Sequence, residues 1–435
     1  MDNRTKVAII SPEYEHYDTV RFGKNHKTIP NFGVLYLAAV AEQAGAKVDI
    51  ISVTKYDYAI DLSDYAIIAF SIPSTVIYSL VKKIREHSKI SKDSLLIAGG
   101  FHATVYPVQV FEELKVDLVG IGEGEETFRE ILSTYPNNDF KKTKGVVYRN
   151  DTGKIIVNEK RELIANLDDI PFPARHLMPV GDIIIENKLS NTNLISAHIM
   201  CSRGCLYSCN FCAKLDNNIR YRSSENFIEE VMLLKQQHGI EGFNIVDINF
   251  FMNKNKMKTI CNGIKTLNMK WSALARVDII DKEILHLIKD AGCIELRFGI
   301  ESGSQRLLDA MNKKIKVDQI INAITLSNDA GINVKAFMMH GFPGENLKST
   351  QESIDLLESL KEKMREPLVF RFAPLPGSPV YTEHKKFGII LPKSTDDIFI
   401  DNNPSKWWGT DDDKKEVDMS HKLLMNYIAD NWTKE

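Results

Sequence analysis

Four of the six cysteines fall within one short stretch, Cys201-Ser-Arg-Gly-Cys205-Leu-Tyr-Ser-Cys209-Asn-Phe-Cys212. Nothing else in the chain constrains its fold so tightly, because ligands this close must be presented by one loop to one centre. Cys205, Cys209 and Cys212 form a C-x3-C-x2-C triad, whereas the same spacing started at Cys201 would need Ser208 as its third ligand. Three thiolates on one short loop can hold three irons of a 4Fe–4S cubane and leave the fourth iron open. A four-thiolate zinc knuckle would also use Cys201, but zinc sites separate two such pairs by a longer stretch. A disulfide pair would need an oxidising compartment, for which nothing here argues. Cys201 therefore reads as structural: a fourth thiolate would close the open iron.

A chain of 435 residues exceeds what one hydrophobic core serves, so two or three domains are expected. A net charge of −3 gives no electrostatic case for a nucleic acid or an anionic membrane as partner. The first residues lead straight into an apolar run, and no signal peptide is expected. The longest uncharged run, Tyr65 to Val81, is interrupted by Ser71, Pro73, Ser74 and Thr75, which suits a buried strand and its loop rather than a membrane span. Reduced thiols place the expected location in the cytoplasm.

Residues 1–135 alternate short runs rich in Ile, Leu and Val (Lys6–Ile10, Val48–Val53, Tyr65–Ser71, Leu95–Ala98, Leu118–Ile121) with helical stretches such as Gly33–Ala44. That order predicts an α/β fold, a Rossmann-like doubly wound parallel sheet covered on both faces. Ligands of such sheets bind beyond the carboxyl ends of the strands. Those ends carry Ser71, the run Gly99-Gly100-Phe-His102-Ala-Thr104, and Gly120-Ile-Gly122-Glu123-Gly124-Glu125. Residues 136–190 read as a linker, with a hairpin at Gly145–Tyr148 and Lys154–Asn158 and then the Pro-rich connector Leu167–Arg175. From 191 to 385 the order is again strand, helix, strand, and Asp290-Ala-Gly and Asp329-Ala-Gly repeat one helix ending. A partial (β/α) TIM-like barrel is predicted, with reactive groups at the C-terminal ends of its strands, where the cysteine loop also falls.

The cysteine triad, with the aromatic Phe211 before its last member, resembles that of the radical SAM superfamily. Members bind S-adenosylmethionine at the open iron and cleave it to a 5′-deoxyadenosyl radical. The glycine-rich strand ends upstream resemble the cobalamin-binding domain found ahead of many radical SAM domains, and the Leu167–Arg175 run resembles the connector between the two. The resemblance implies three cofactors: a 4Fe–4S cluster on Cys205, Cys209 and Cys212, S-adenosyl-L-methionine, and cobalamin. It implies S-adenosylmethionine contacts from Asp247 of Asp-Ile-Asn-Phe, from Arg276, and from Glu301 and Ser302 of Gly-Ile-Glu-Ser-Gly-Ser. Cobalamin contacts would come from Ser71, Gly99, Gly100, His102, Gly122, Glu123 and Gly124, with the loop Ser11–Pro30 closing over the corrin ring. The Asp-x-His-x-x-Gly motif that ligates cobalt from below elsewhere is absent, so no such histidine ligand is expected. His340 sits at a predicted strand end, where it reads as a hydrogen-bonded histidine or a proton relay.

The implied activity is methylation of an unactivated carbon of a small-molecule or peptide substrate through methylcobalamin. A low-potential donor of flavodoxin or ferredoxin type would supply electrons. Rearrangement, cyclisation or epimerisation without methyl transfer is the alternative, and a non-catalytic electron carrier or regulator is the reading from another class. The absence of cysteine from residues 1–200 argues against a methylthiotransferase. In the tail, 386–435, Trp407 and Trp408 are expected to dock on the barrel, Asp411–Asp413 to form a solvated loop, and a final amphipathic helix to follow.

Overall fold

The computed structural model describes residues 5–13, 30–137, 139–185, 189–190, 192–391 and 407–432. Contacts divide the chain into two compact units, Met1–Ile183 and Ile184–Glu435.

The first unit is built as β1 (Lys6–Pro12), α1 (Phe32–Gln43), β2 (Lys47–Val53), β3 (Ile67–Ser71), α2 (Tyr78–His87), β4 (Leu95–Gly99), the short α3 (Phe101–Val105), α4 (Pro107–Leu114), β5 (Leu118–Gly120), α5 (Glu125–Thr134), β6 (Val146–Arg149) and β7 (Ile155–Val157). Its sheet runs β2-β1-β3-β4-β5-β6-β7, the first five strands parallel. Strand periodicity makes the two-sided cover visible. Ala8, Ile10, Ile68 and Phe70 enter one core with residues of α2 and α4, while Val7, Ile9, Ile67 and Ala69 enter another with residues of α1 and α5. The order reverses between β1 and β3, and a crevice at the carboxyl ends of such a reversal is the usual ligand position of the fold. The hairpin expected in a linker instead extends this sheet: β6 pairs antiparallel with β5, and β7 with β6. Its apolar Val146, Val147 and Tyr148 bury themselves against the two cores, which is why it does not stand alone. Of the loop expected over Ser11–Pro30, residues 14–29 lie outside the described residues.

The second unit comprises β8 (Ile184–Ile185), β9 (Ser196–Ile199), a hairpin of β10 (Ser202–Gly204) and β11 (Ile219–Tyr221), α6 (Ser224–His238), β12 (Gly242–Ile245), α7 (Lys254–Leu267), β13 (Lys270–Ala275), α8 (Lys282–Asp290), β14 (Cys293–Glu301), α9 (Gln305–Ala310), α10 (Val317–Asp329), β15 (Asn333–His340), α11 (Leu347–Leu360), β16 (Leu368–Arg371) and α12 (Asp411–Trp432). The sheet order β16-β15-β14-β13-β12-β9-β8 places each parallel strand beside its predecessor in sequence, with only the edge strand β8 antiparallel. Among the described residues β9 and β16 do not pair, so the array is a half-barrel. The helices between strands stop where the sequence announces it: Gly292 and Gly331, each after Asp-Ala, have φ of 94° and 69°, the left-handed region that favours glycine just past a helix. At Gly292 a Cβ would also stand 2.2 Å from the Met269 carbonyl oxygen.

Trp407 and Trp408 are buried with Leu307, Phe342, Phe372, Val380 and Val417, and Trp408 Nε1 donates to the Gly341 carbonyl at 2.8 Å. The Asp411–Asp413 run is not a loop but the first turn of α12. Thr410 and Asp413 cap it reciprocally, and three carboxylates at a helix N-terminus meet the positive end of its dipole.

Candidate functional site

The β10–β11 hairpin grows from the carboxyl end of β9, the first parallel strand of the half-barrel, and its loop carries Cys205, Cys209 and Cys212. Gly204 makes the hairpin possible. Its φ is 94°, and a Cβ there would stand 1.8 Å from the Asn218 carbonyl oxygen across the ladder. Lys214 draws the loop together, its ammonium donating to the carbonyls of Cys205, at 2.9 Å, and of Tyr207. Residues after β14 hold the loop from the other side: Asn210 N–H donates to the Met311 carbonyl at 2.8 Å, and Asn312 Nδ2 to the Ser208 carbonyl at 2.6 Å.

Cys201 faces away from this loop's task. It is fully buried, burial pushes its thiol well up, and its N–H donates to Asp247 Oδ1 at 2.7 Å. Ser202 Oγ donates to the other Asp247 oxygen at 2.6 Å. Asp247, expected to contact S-adenosylmethionine, therefore has both oxygens engaged in anchoring the base of the cysteine hairpin. Burial raises its pKa to about 6, against those hydrogen bonds.

Cys209 is the most acidic member of the triad pair it forms with Cys212. The Cys212 thiol hydrogen-bonds to it and brings it down to about 6, while burial opposes and Lys313 and Arg276 assist; Cys212 moves up in consequence. Both cations are organised by the strand ends. Arg276 stacks on the Tyr207 ring, 3.4 Å from its centroid, and donates from Nε to Asp278 Oδ1 at 3.0 Å and from Nη2 to the Lys313 carbonyl at 2.8 Å. Lys313 Nζ donates to Glu301 Oε1 at 2.5 Å and lies 5.6 Å from the Phe211 ring centre. Glu301 has φ 61° at a register shift between β14 and β15, so its carboxylate folds back over the strand. Gly299 leaves the space: a Cβ there would meet Glu301 Oε1 at 2.7 Å and Lys313 Nζ at 3.1 Å.

Arg276 and Glu301 are thus brought to the cysteine loop through Lys313. Ser302 is not: its hydroxyl lies 3.3 Å from Ser353 Oγ and accepts from the Ser304 N–H at 3.1 Å, tying the end of β14 to α11. His340 turns to the helix layer, with Nε2 3.3 Å from Thr350 Oγ1 and 3.2 Å from Ser420 Oγ, so it is no relay at the rim. Two residues beyond Asp247, Asn249 is 1% exposed, yet neither its amide nitrogen nor its oxygen has a hydrogen-bond partner among the described residues. A buried orphaned amide at a strand end fits a bound polar ligand, because leaving it unpaired is costly. Lys313 and Gly299 carry no motif of their own and emerge only from the geometry.

In the first unit, Ser71 and Gly99 are register neighbours at the ends of β3 and β4. Nothing stands within 4 Å of where a Cβ would project from Gly99 or Gly122, so this ridge leaves room for a flat ligand. Gly100, φ 111°, has to be glycine because a Cβ would stand 2.6 Å from the Ile72 carbonyl oxygen. At Gly124 the missing side chain instead makes way for Leu37, 3.2 Å from a Cβ. Two expected contacts are turned elsewhere. His102 is fully buried, its Nδ1 3.0 Å from Thr75 Oγ1 and its ring 4.3 Å from that of Tyr78, a core histidine rather than a ligand. Glu123 accepts the Ile164 N–H at 2.8 Å and so fastens the connector. Of the other histidines described in this unit, His87 bonds the Lys83 carbonyl and His176 pairs with Glu42.

Among the described residues no three His, Cys, Asp or Glu side chains are placed so as to hold a single metal ion. A doubly wound sheet with an open ridge, followed by a half-barrel whose first parallel strand leads into a thiol triad flanked by cations, defines a two-unit α/β protein. The chain belongs to the radical SAM superfamily, whose model matches residues 199–357, and the model of the B12 binding domain matches residues 19–132. It is 29% identical over 346 residues to an uncharacterized methyltransferase of Pyrococcus horikoshii, covering 77% of this chain and 74% of that one. It is 25% identical over 321 residues to the anaerobic magnesium-protoporphyrin IX monomethyl ester cyclase of Rubrivivax gelatinosus, covering 71% of this chain but 56% of the relative. The solved structure of the cobalamin-dependent S-adenosylmethionine radical enzyme OxsB with aqua-cobalamin shares the fold, with a TM-score of 0.72, 18% identity, and coverage of 97% of this chain and 66% of that one. No helix among the described residues is long and apolar enough to cross a membrane.

Proposed function

We propose that this chain is a cobalamin-dependent radical SAM enzyme that methylates an unactivated carbon of a small-molecule or peptide substrate. The observation that carries the reading is the Cys205–Cys212 loop at the end of β9, with Lys313 and Arg276 set against Cys209. Bound there, a 4Fe–4S cluster with one iron free of protein supplies the electron and the anchoring point for cleavage of S-adenosylmethionine, and cobalamin on the first unit supplies the methyl group. The chain's own residues prepare the site. Cys205, Cys209 and Cys212 hold the cluster as thiolates, and the two cations lower the cost of their charge. Glu301 can pair with the ammonium or ribose hydroxyls of S-adenosylmethionine on release from Lys313, and Arg276 can meet its carboxylate. Asp247 and Ser302 act behind the site, holding its backbone. Gly99 and Gly122 would admit the corrin ring, with Ser71 as a donor at its edge and Gly100 letting the loop pass close to Ile72. His102, a core residue bonded to Thr75, would shape that loop rather than hold the cofactor.

Anaerobic incubation with a low-potential reductant and S-adenosylmethionine tests the reading. Formation of 5′-deoxyadenosine by the native chain, and none by Cys209→Ala, is expected. No 5′-deoxyadenosine from the native chain, or zinc without iron and sulfide in the purified protein, would overturn it. The product mass separates the chemistries: a gain of one methyl group for methylation, none for rearrangement or cyclisation.

A further inference from the structure

The interior of the half-barrel carries charges that the cysteine loop does not use. On β14, Glu295, Arg297 and Gly299 share one face by the two-residue period of a strand. The Glu301–Lys313 pair lies over that same face, as the crowding at Gly299 shows. Arg297 therefore shares the face over which Lys313 and Glu301 lie.

Arg297 is held in place: Nη2 donates to Ser272 Oγ at 3.0 Å and to Asn244 Oδ1 at 3.3 Å, and Ser272 donates to Asn244 in turn. Its register partner on β15 is Lys335. Two cations thus stand side by side on adjacent strands. The one carboxylate among these residues is Glu295, 4.0 Å from Arg297 Nε. Arg297 Nε is buried without a hydrogen-bond partner among the described residues. Arg365 and Glu366, before β16, add one charge of each sign near Lys335 and do not change the balance. Partly buried like charges repel strongly, and an arrangement of this kind is relieved by an anion. Beside the cations, Phe337, register partner of Gly299, stands edge-on to Phe370 with ring centres 5.7 Å apart.

We propose that Arg297 and Lys335 form an oxyanion subsite for the substrate. A carboxylate or phosphate sits on the two cations, and the apolar body lies along Phe337 and Phe370. Two residues of extended strand separate Arg297 from Gly299, over which the Glu301 carboxylate lies, roughly 7 Å, so the substrate is a small organic anion whose reacting carbon lies at least about that far from its charge. This rests on the function proposed above.

Titration calorimetry of the purified full chain without S-adenosylmethionine, using inorganic phosphate and malonate as separate probes, tests it. One of the two is expected to bind one per chain and to weaken at least about tenfold in both Arg297→Gln and Lys335→Gln, since each removes a charge-assisted contact. The probe that binds identifies phosphate or carboxylate as the group recognised. Lys265→Gln, an exposed cation on α7 with a side chain 57% exposed, serves as the control and should bind like the native chain. Failure of both probes to bind, or equal binding by Lys335→Gln and the native chain, would overturn the subsite. Lys335→Gln keeps the test decisive should Arg297→Gln misfold. Anion binding without 5′-deoxyadenosine formation would refute the activity alone, and the reverse result would refute the subsite alone.

Discussion

Asn249 shows how a single side chain separates stability from function. Two buried polar atoms without partners cost folding free energy, so something other than the fold has to account for them. Asn249→Leu, alike in branching and apolar, is expected to leave stability unchanged or raise it by about 1–2 kcal/mol, because the unpaired amide is gone. Formation of 5′-deoxyadenosine should fall at least about tenfold. Urea unfolding and product analysis on the same preparation check both halves. A variant that loses stability yet keeps full turnover would show that the amide serves packing instead.

Two elements place the chemistry, and each fails in its own way. The β10–β11 hairpin depends on the backbone shape at Gly204, where both φ and the 1.8 Å approach of the Asn218 carbonyl exclude a Cβ. Gly204→Ala should open the ladder at the mouth of the cysteine loop, and iron bound per chain after anaerobic reconstitution should drop by more than half while far-UV circular dichroism stays native. The seam between β15, α11 and α12 depends on His340. Burial, with His421 and Arg371 nearby, holds His340 down at about 3, below its ordinary 6.5. Between those values the unfolded chain takes up a proton that the folded one refuses, so stability is full above pH 6.5 and declines as pH falls toward 3. The slope approaches 1.4 kcal/mol per pH unit for this one group. Urea midpoints from pH 7.5 to 5 should show that decline in the native chain and a flatter one in His340→Leu. Equal slopes would remove His340 as the cause.

At the scale of the molecule, each unit carries its own core and sheet. A chain cut between Ile183 and Ile184 should therefore give two soluble fragments with cooperative thermal transitions of their own. Residues 184–435 should take up iron and sulfide, and residues 1–183 should bind a corrinoid, each without the other. Loss of cooperative unfolding in either fragment would mean that its core is completed by the other.

Local patterns carried most of what could be read directly from the chain. The cysteine spacing, the alternation of apolar runs with helices, and the Asp-Ala-Gly endings depend on neighbours within a few residues, where chain geometry leaves few choices. The doubly wound sheet, the half-barrel and the position of the thiol loop on it followed from them. The use of the individual polar residues did not. Asp247 and Ser302 stand where a ligand contact is expected, yet they bond Ser202 and Ser353, chosen by register and by which face of a strand meets which helix. Asp411–Asp413 joined a helix because Thr410 caps it, and the 146–157 hairpin joined a sheet because β5 offered an open edge. Lys313 reaches Glu301 only because Gly299 has no side chain, and Arg297 meets Lys335 only across a strand pair. Such pairings join residues far apart in sequence, and no local rule encodes them. The chain's order alone determined that two α/β units would form, with a thiol-bearing loop at the end of a strand. Tertiary packing decided which carboxylates and cations face that loop and which hold the walls.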